Sequence, residues 1–218
     1  MFRILLMISV VMSMAACLGG GLDGDRKADG APKAEARKRH PVFQGQVTIA
    51  GPEGYCVDVG AVLEGDQGAF VPLGACASIT GRIKDGAPSR HLFLSAVVNP
   101  LSPDMPKEAV VPAALKALEL DSVRATLADK VLEVREENDA LIVHSHHTES
   151  SDGLAQDQWR AVFACRDHVV ALTVTGFEGQ EVHGEKALFT FLAAMRKANP
   201  EGKSARTAVP SLLGRLLN

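Results

Sequence analysis

Short apolar stretches separated by turn residues occur in residues 46–98. Residues 46–50 and 55–59 are rich in residues that favour strands, and residues 51–54 between them read Gly-Pro-Glu-Gly. Because Pro and Gly favour tight turns, this pattern predicts a β-hairpin. Residues 69–73 predict a further strand. Residues 92–98 form a nearly continuous apolar run of strand length, which predicts a central, buried strand.

Helical spacing of apolar residues follows this run. Asp104 is placed to cap a helix, and Pro106 is tolerated in a first turn. A second short helix is expected from Asp121. A final helix is expected over residues 184–198, because Asn199-Pro200 stops it. The first helix should bury one face, formed by Val110, Val111, Ala114, Leu115 and Leu118.

Four segments with the two-residue period of strands lie between the helix expected from Asp121 and the final helix. Residues 131–135, 140–144, 160–165 and 169–175 alternate in polarity or are apolar, as strands do. The short polar connections within the first and the last pair link antiparallel neighbours. The sequence therefore predicts an α+β fold: a single antiparallel sheet, made of an N-terminal hairpin and a C-terminal meander, with two or three helices packed on it.

This order of elements resembles the family of PsbP-like and Mog1-like domains over about residues 42–199. In that family an N-terminal hairpin precedes a helical segment, a meander and a last helix, here running from Gly176-Phe177-Glu178 to Asn199. The resemblance rests on element order alone, since no diagnostic motif is present. It implies a non-catalytic binding or assembly module, and it assigns no functional residue.

The first 16 residues have the order of a bacterial-type secretory signal. Arg3 is followed by an uncharged apolar run of about a dozen residues, which is too short to span a bilayer. Met14-Ala15-Ala16-Cys17 resembles the lipobox of bacterial lipoproteins, in which the cysteine is acylated and becomes the first residue. Met14 departs from the usual branched aliphatic residue, so an ordinary cut after Ala15 is the alternative.

The order of segments predicts four parts. These are a signal peptide over residues 1–16, a lipid-anchored flexible tether over residues 17–41, one domain over residues 42–199 and a tail over residues 200–218. The tether lacks a periodic apolar pattern, so it cannot bury enough surface to fold. In the tail, paired leucines after Pro210 suit a short amphipathic helix that docks on the domain, a partner or a membrane; a frayed terminus is the alternative.

Charge argues against one class of partner. Removal of the first 16 residues deletes Arg3 and leaves 22 basic against 26 acidic side chains, a net charge of −4. Since nucleic-acid binding needs a strongly basic surface, nucleic acid is not expected as a partner. The expected location is the periplasmic side of the bacterial cell envelope, with the membrane contacted through a lipid on Cys17. Without that lipid the protein would be soluble in the periplasm.

Cysteine usage fits an oxidising compartment. With Cys17 acylated, three cysteines remain, and any two of them can pair. Cys56 with Cys76 is favoured, because both lie in apolar segments 20 residues apart that suit neighbouring strands. Cys165 would then be a small buried residue. No Cys-x-x-Cys occurs, which argues against a thioredoxin-like redox site and a zinc ribbon.

Histidines are concentrated at the end of the second meander strand. His144 and His146 are two residues apart, so on a strand both imidazoles face the same side. They form half of a divalent metal site, which Glu149, Asp152 or His168 would have to complete. The alternative is a polar strand end with solvated or hydrogen-bonded histidines.

These patterns favour a binding protein over an enzyme. Gly-x-Ser-x-Gly and His-Glu-x-x-His are absent, and no catalytic residue is assigned. The leading hypothesis is a non-catalytic binding or assembly accessory of the envelope, with another envelope protein as the candidate partner and no cofactor. A periplasmic metal-binding protein using His144 and His146 is the alternative, and an uncharacterised hydrolase is third.

Overall fold

The computed structural model describes residues 35–89, 91–149, 153–178 and 183–200. The predicted signal peptide, Cys17 and the tail beyond Pro200 lie outside these residues. Among the described helices, none combines the length and the apolar character needed to cross a membrane.

Antiparallel strands dominate the described residues, and four α-helices accompany them. The strands are β1 (Ala36–Arg37), β2 (Arg39–Val42), β3 (Val47–Ala50), β4 (Tyr55–Asp58), β5 (Leu63–Gly65), β6 (Gly68–Ala75), β7 (Phe93–Pro100), β8 (Lys130–Glu137), β9 (Ala140–His146), β10 (Leu154–Cys165) and β11 (His168–Phe177). The α-helices are α1 (Cys76–Thr80), α2 (Val110–Ala117), α3 (Asp121–Leu127) and α4 (Gly184–Ala198). Short 3-10 turns occupy Val59–Ala61, Ile83–Asp85 and Lys107–Ala109.

Nine of the strands form one antiparallel sheet. Its order is β1-β4-β6-β7-β11-β10-β9-β8, and β5 pairs with the free part of β6. The run from β8 to β11 is the predicted meander, in which each strand pairs with the next. The two remaining strands, β2 and β3, form a separate hairpin sheet.

Strand β7 lies in the middle of the large sheet, as its apolar sequence predicts. It pairs with β6 on one side and with β11 on the other. Leu94, Ala96 and Val98 are fully buried on one face. A strand covered in this way needs the continuous apolar pattern that the sequence shows.

The two faces of the large sheet have different covers. One face packs against α4 and the β2–β3 sheet, and most of the core lies there, including Leu94, Leu172 and Phe191. The opposite face carries a smaller cluster beneath α2, centred on Leu141 and Val143.

Helix α4 has the bounds predicted from the sequence. Leu188, Phe191, Leu192 and Met195 recur at helical spacing and are buried against the sheet. Just beyond the helix, the Asn199 side chain accepts from the Thr48 N–H at 2.8 Å and donates to the Thr48 carbonyl at 2.7 Å. This paired contact fixes the end of α4 to β3.

The predicted N-terminal hairpin is wrong, although both of its strands exist. Strand β3 pairs with β2, whereas β4 pairs with β1 and β6. The Gly51–Gly54 turn carries the chain from one sheet to the other. A Cβ on Gly51 would lie 2.9 Å from Leu73 Cδ2 and 3.1 Å from the Tyr55 carbonyl oxygen, so a larger residue requires its neighbours to shift at this crossing.

The fold class is therefore α+β, but two details of the prediction are wrong. The described residues form two sheets instead of one, because among them β2 and β3 pair only with each other. The same residues contain four α-helices instead of two or three, because the short helix α1 was not expected. Asp104 does not cap a helix; a 3-10 turn begins after Pro106 and leads into α2 without a side-chain cap.

Ordered structure also begins earlier than residue 42. The predicted tether extends to residue 41, yet Ala36 and Arg37 pair with Asp58 and Val57 on the edge of the large sheet. These two residues pair through their backbone, and such pairing does not require a periodic apolar pattern of side chains. The sequence therefore contains no signal that separates them from the tether.

Candidate functional site

On the face of the sheet that packs against α2, one row of cross-strand neighbours has exposed side chains at one end and buried side chains at the other. Leu63 pairs with Phe70, Phe70 with Val97, and Val97 with Ala171. The row continues through Val162 to Leu141. Directly paired residues project from the same face of a sheet, so these side chains form one apolar stripe.

Helix α2 covers only one end of this stripe. Leu141 is 1% exposed and Val162 packs in the cluster beneath α2, whereas Leu63 at the other end is 68% exposed. Phe70 and Val97 are partly exposed. Single exposed apolar residues are ordinary on a protein surface, but a contiguous set that extends a buried row is the kind of surface a partner covers.

A cleft accompanies the exposed end of the stripe, and we call it the β5 cleft. It has a volume of about 610 Å³ and is lined by Val62, Leu63, Glu64, Gly65, Gly68, Ala69, Phe70, Val97 and Asn99. Strand β5 forms its outer wall, and all three residues of that strand are exposed. In the described residues β5 pairs only with β6, so its outer edge is free for a further strand.

The turn between β2 and β3 supports β5 from the other face. The backbone N–H of Phe43 donates to Glu64 Oε1 at 2.7 Å. Phe43 also lies against the His168 ring, with centroids 4.7 Å apart. Arg166 Nη1 donates to the Gln46 carbonyl at 2.6 Å. These contacts hold a turn in which Phe43 has a φ of 50°, an uncommon conformation for a bulky residue.

A disulfide closes the chain segment that builds the cleft. Cys56 on β4 is joined to Cys76 at the start of α1, with Cα atoms 4.9 Å apart. This is the pair favoured from the sequence. Strands β5 and β6 lie between the two cysteines, so the cross-link ties both ends of this part of the sheet together.

Cys165 is free and buried at 7% exposure. It pairs across the β10–β11 turn with His168, which is 3% exposed. Burial raises the pKa of the Cys165 thiol and lowers the pKa of the His168 imidazole. Both shifts favour the neutral forms, whereas a nucleophilic cysteine requires a thiolate.

His144 and His146 project from the same face of β9, as predicted. His146 Nδ1 lies 2.8 Å from Asp157 Oδ1, and His144 Nε2 lies 3.9 Å from the same oxygen. The His144 ring stacks on Trp159, with centroids 4.2 Å apart and an angle of 8° between the planes. The two imidazoles are therefore already engaged by an aromatic ring and a carboxylate.

The residues expected to complete a metal shell do not join this pair. His168 pairs with Cys165, six residues along β10 from the Trp159 that faces His144, which corresponds to about 20 Å. Asp152 lies outside the described residues. Within residues 35–89, 91–149, 153–178 and 183–200, no three His, Cys, Asp or Glu side chains are grouped to hold a metal ion.

An ion-pair network continues from the histidine pair along β8. Arg135 contacts Glu133, Glu137 at 3.0 Å and Glu185 at the start of α4. Burial opposes the charge of Arg135, but the hydrogen bonds that its guanidinium donates to the three glutamates raise its pKa. The guanidinium also lies 5.8 Å from the Trp159 ring centroid. These contacts fasten α4 to the sheet edge and account for the charged residues there.

A second, more polar cleft lies near the end of β9. It has a volume of about 480 Å³ and is lined by Asp129, His147, Thr148, Glu149, Leu154, Ala155 and Gln158. Asp129 accepts from the Thr148 N–H at 2.6 Å, and this hydrogen bond lowers the pKa of the Asp129 carboxyl. Asp129 thereby anchors the chain after β9.

Arg160 lies beneath the same region. Its guanidinium donates to the Leu127 carbonyl at 3.0 Å, to Ser145 Oγ at 3.2 Å and to Gln158 Oε1 at 2.5 Å. Leu127 ends α3, and the carboxyl end of a helix carries partial negative charge. Arg160 is thus compensated within the fold, and burial lowers its pKa.

The histidine pair is visible in the sequence, whereas the β5 cleft is not. The cleft joins residues from β5, β6 and β7, and its exposure depends on where α2 packs. A local signal existed in Leu63, an apolar residue followed by Glu64, Gly65 and Asp66, but one such residue does not define a surface.

Comparison with known proteins supplies little further information. No family model matches the chain, and no curated protein matches it. A 1.50 Å crystal structure from Bacteroides thetaiotaomicron VPI-5482 aligns with 9% identity and a TM-score of 0.39. The alignment covers 71% of this chain and 47% of that one, so the chain spans about half the length of the structure it matches.

Proposed function

We propose that this protein is a binding or assembly accessory of the bacterial cell envelope, held on the membrane by a lipid on Cys17. The observation that supports a binding role is the β5 cleft, where an apolar stripe buried beneath α2 at one end is left uncovered at the other. The partner is another envelope protein that covers Leu63, Phe70 and Val97. An extended segment suits the site, because the free edge of β5 offers backbone hydrogen bonds beside the apolar floor.

In-cell crosslinking tests this role. A photoreactive benzophenone amino acid at position 63 should give an adduct with one envelope protein, detected by mass spectrometry after gentle purification. The same amino acid at Leu115, which is 44% exposed on α2, is the matched control. We expect the adduct from position 63 at least about tenfold above the control. Equal adducts from both positions, or turnover of a substrate by the purified protein, would contradict the proposal.

The lipid anchor is tested separately. The intact chain should fractionate with membranes and carry a diacylglyceryl mass on the peptide that begins at Cys17. Cys17→Ser should move the protein to the soluble fraction. A mature chain that begins at Ala16 and carries no lipid would replace the anchored form with a soluble periplasmic one.

A further inference from the structure

We propose that residues 209–217 of the same chain occupy the β5 cleft when no partner is bound, so that the chain carries its own competitor for the site. This inference rests on the proposed binding role of the cleft. The segment reads Val-Pro-Ser-Leu-Leu-Gly-Arg-Leu-Leu and is the most apolar stretch that follows α4.

The position where the chain leaves α4 favours this occupant. Asn199 is held to Thr48 on β3, close to the β2–β3 turn. The Phe43 N–H of that turn contacts Glu64 on β5 at 2.7 Å. Summed along these contacts, the path from the end of α4 to β5 is about 25 Å long. The chain beyond residue 200 therefore starts near the outer wall of the cleft.

The connecting segment is long enough. Residues 201–208 provide eight residues, which reach about 27 Å when extended. This length allows the chain to pass around the edge strand β5 from the face covered by β2 and β3 to the face that carries Leu63. No strand has to be crossed on the way, because β5 pairs only with β6 in the described part of the chain.

Charge complementarity supports the same assignment. Residues 201–218 contain Lys203, Arg206 and Arg215 against one acidic residue, Glu201. The β5–β6 turn carries exposed Asp66 next to the cleft, and Glu64 lies one residue before Gly65 on the wall. Two basic residues that precede the apolar segment and one within it thus match a cleft that has an acidic rim and an apolar floor.

Crosslinking in the full-length chain tests the proposal. A benzophenone amino acid at Phe70 preserves an aromatic ring on the cleft floor, and the same amino acid at Phe177 is the matched control. Phe177 is 37% exposed but lies six residues along β11 from Ala171, the neighbour of Val97. The purified lipidated protein in detergent, without any partner, should give an intramolecular crosslink from position 70 to residues 209–217. Position 177 should give none.

Paired variants examine the chemistry of the contact. Leu213→Asp with Leu216→Asp should lower the intramolecular crosslink at least about tenfold, because a charged group is not accommodated on an apolar floor. Ser211→Asp places a similar charge on the polar position of the segment and should leave the yield within about twofold. Equal loss in both variants would overturn the apolar contact.

The crosslinking experiment also distinguishes two other occupants of the cleft, a second copy of the chain and a membrane. Mixing 14N- and 15N-labelled protein reveals a crosslink between two copies, and that result would overturn the proposal in favour of an intermolecular contact. A crosslink from position 70 to lipid in phosphatidylglycerol vesicles, with none to residues 209–217, would overturn it in favour of a membrane contact.

The proposed function and this inference fail independently. If the tail competes, a chain ending at Pro200 should raise the yield of the partner adduct from position 63 in cells by about the inverse of the free fraction, which is tenfold for a cleft occupied nine-tenths of the time. If truncation leaves the partner adduct unchanged, the proposal that the tail competes is refuted and the binding role stands. If the tail crosslinks to position 70 but no partner adduct forms, the binding role is refuted and the tail contact stands.

Discussion

Loss of the Cys56–Cys76 disulfide should destabilise the domain by about 3 kcal/mol. The two residues are 20 apart in sequence. The chain-entropy expression for a closed loop of that length, about 2.1 + 1.5R ln n in cal/mol/K, gives about 11 cal/mol/K, or about 3 kcal/mol at 25 °C. For a domain of this size, that free energy corresponds to a fall in Tm of roughly 6–12 °C. In urea, it corresponds to a midpoint shift of about 1.5 M.

Urea titration of the protein with and without reductant measures this effect. Cys56→Ala with Cys76→Ala should lower the midpoint and abolish its dependence on reductant. Cys165→Ala removes a buried cysteine outside the disulfide, so its midpoint should still fall on reduction by the same amount as in the unaltered chain. A midpoint in the unaltered chain that does not change on reduction would refute the reasoning.

Three further substitutions test the packing around the candidate sites. Asn199→Ala removes two hydrogen bonds to Thr48 and leaves partly buried backbone groups unpaired, so a loss of about 1–3 kcal/mol is expected by urea denaturation. Gly184→Ala would place a Cβ 2.5 Å from Trp159 Cδ1, and we expect a loss of about 1–3 kcal/mol with a shift in tryptophan fluorescence. Because burial lowers the folded-state pKa of His168, its unfolded state binds protons first on acidification. Stability is therefore lost as the pH falls below about 6.5, and His168→Leu should reduce this loss in midpoints compared between pH 7.5 and 5.

Matched controls separate these effects from general damage. Asn99→Ala changes an exposed asparagine and should cost less than about 0.5 kcal/mol. Gly60→Ala meets only Asp58 Oδ1 at 3.6 Å and should leave the fluorescence unchanged. His91→Leu alters an exposed histidine and should leave the acid dependence as it was. Effects equal to those of the test variants would contradict the assigned contacts.

The elements that the sequence predicted well are those whose pattern is locally complete. Helix α4 shows apolar residues at helical spacing and a terminating Asn199-Pro200, and its bounds were predicted correctly. The meander was predicted because its short turns force neighbouring strands to pair. The predicted hairpin over residues 46–59 is wrong because Gly51–Gly54 permits either a return or a crossing. The choice depends on the competing partners β2, which pairs with β3, and β6, which pairs with β4.

The candidate site shows the same division. His144 and His146 share a face because a strand has a period of two, so that expectation needed no tertiary information. Their surroundings did require tertiary information, because Asp157 and Trp159 lie on β10 and reach the histidines only through the pairing of β10 with β9. The β5 cleft depends on three strands and on the limited extent of α2, none of which appears as a motif in the sequence.

The central pairing of β7 with β11 sets a condition on the order of folding. Pro100 pairs with His168, so about 70 residues must be available before the contact can form. Because synthesis proceeds from the N-terminus, the nearly all-apolar strand β7 is available well before its partner β11. Until then β7 has an unpaired edge and is vulnerable to aggregation. The fold therefore leaves one strand open to intermolecular pairing during the interval in which its neighbour has yet to arrive.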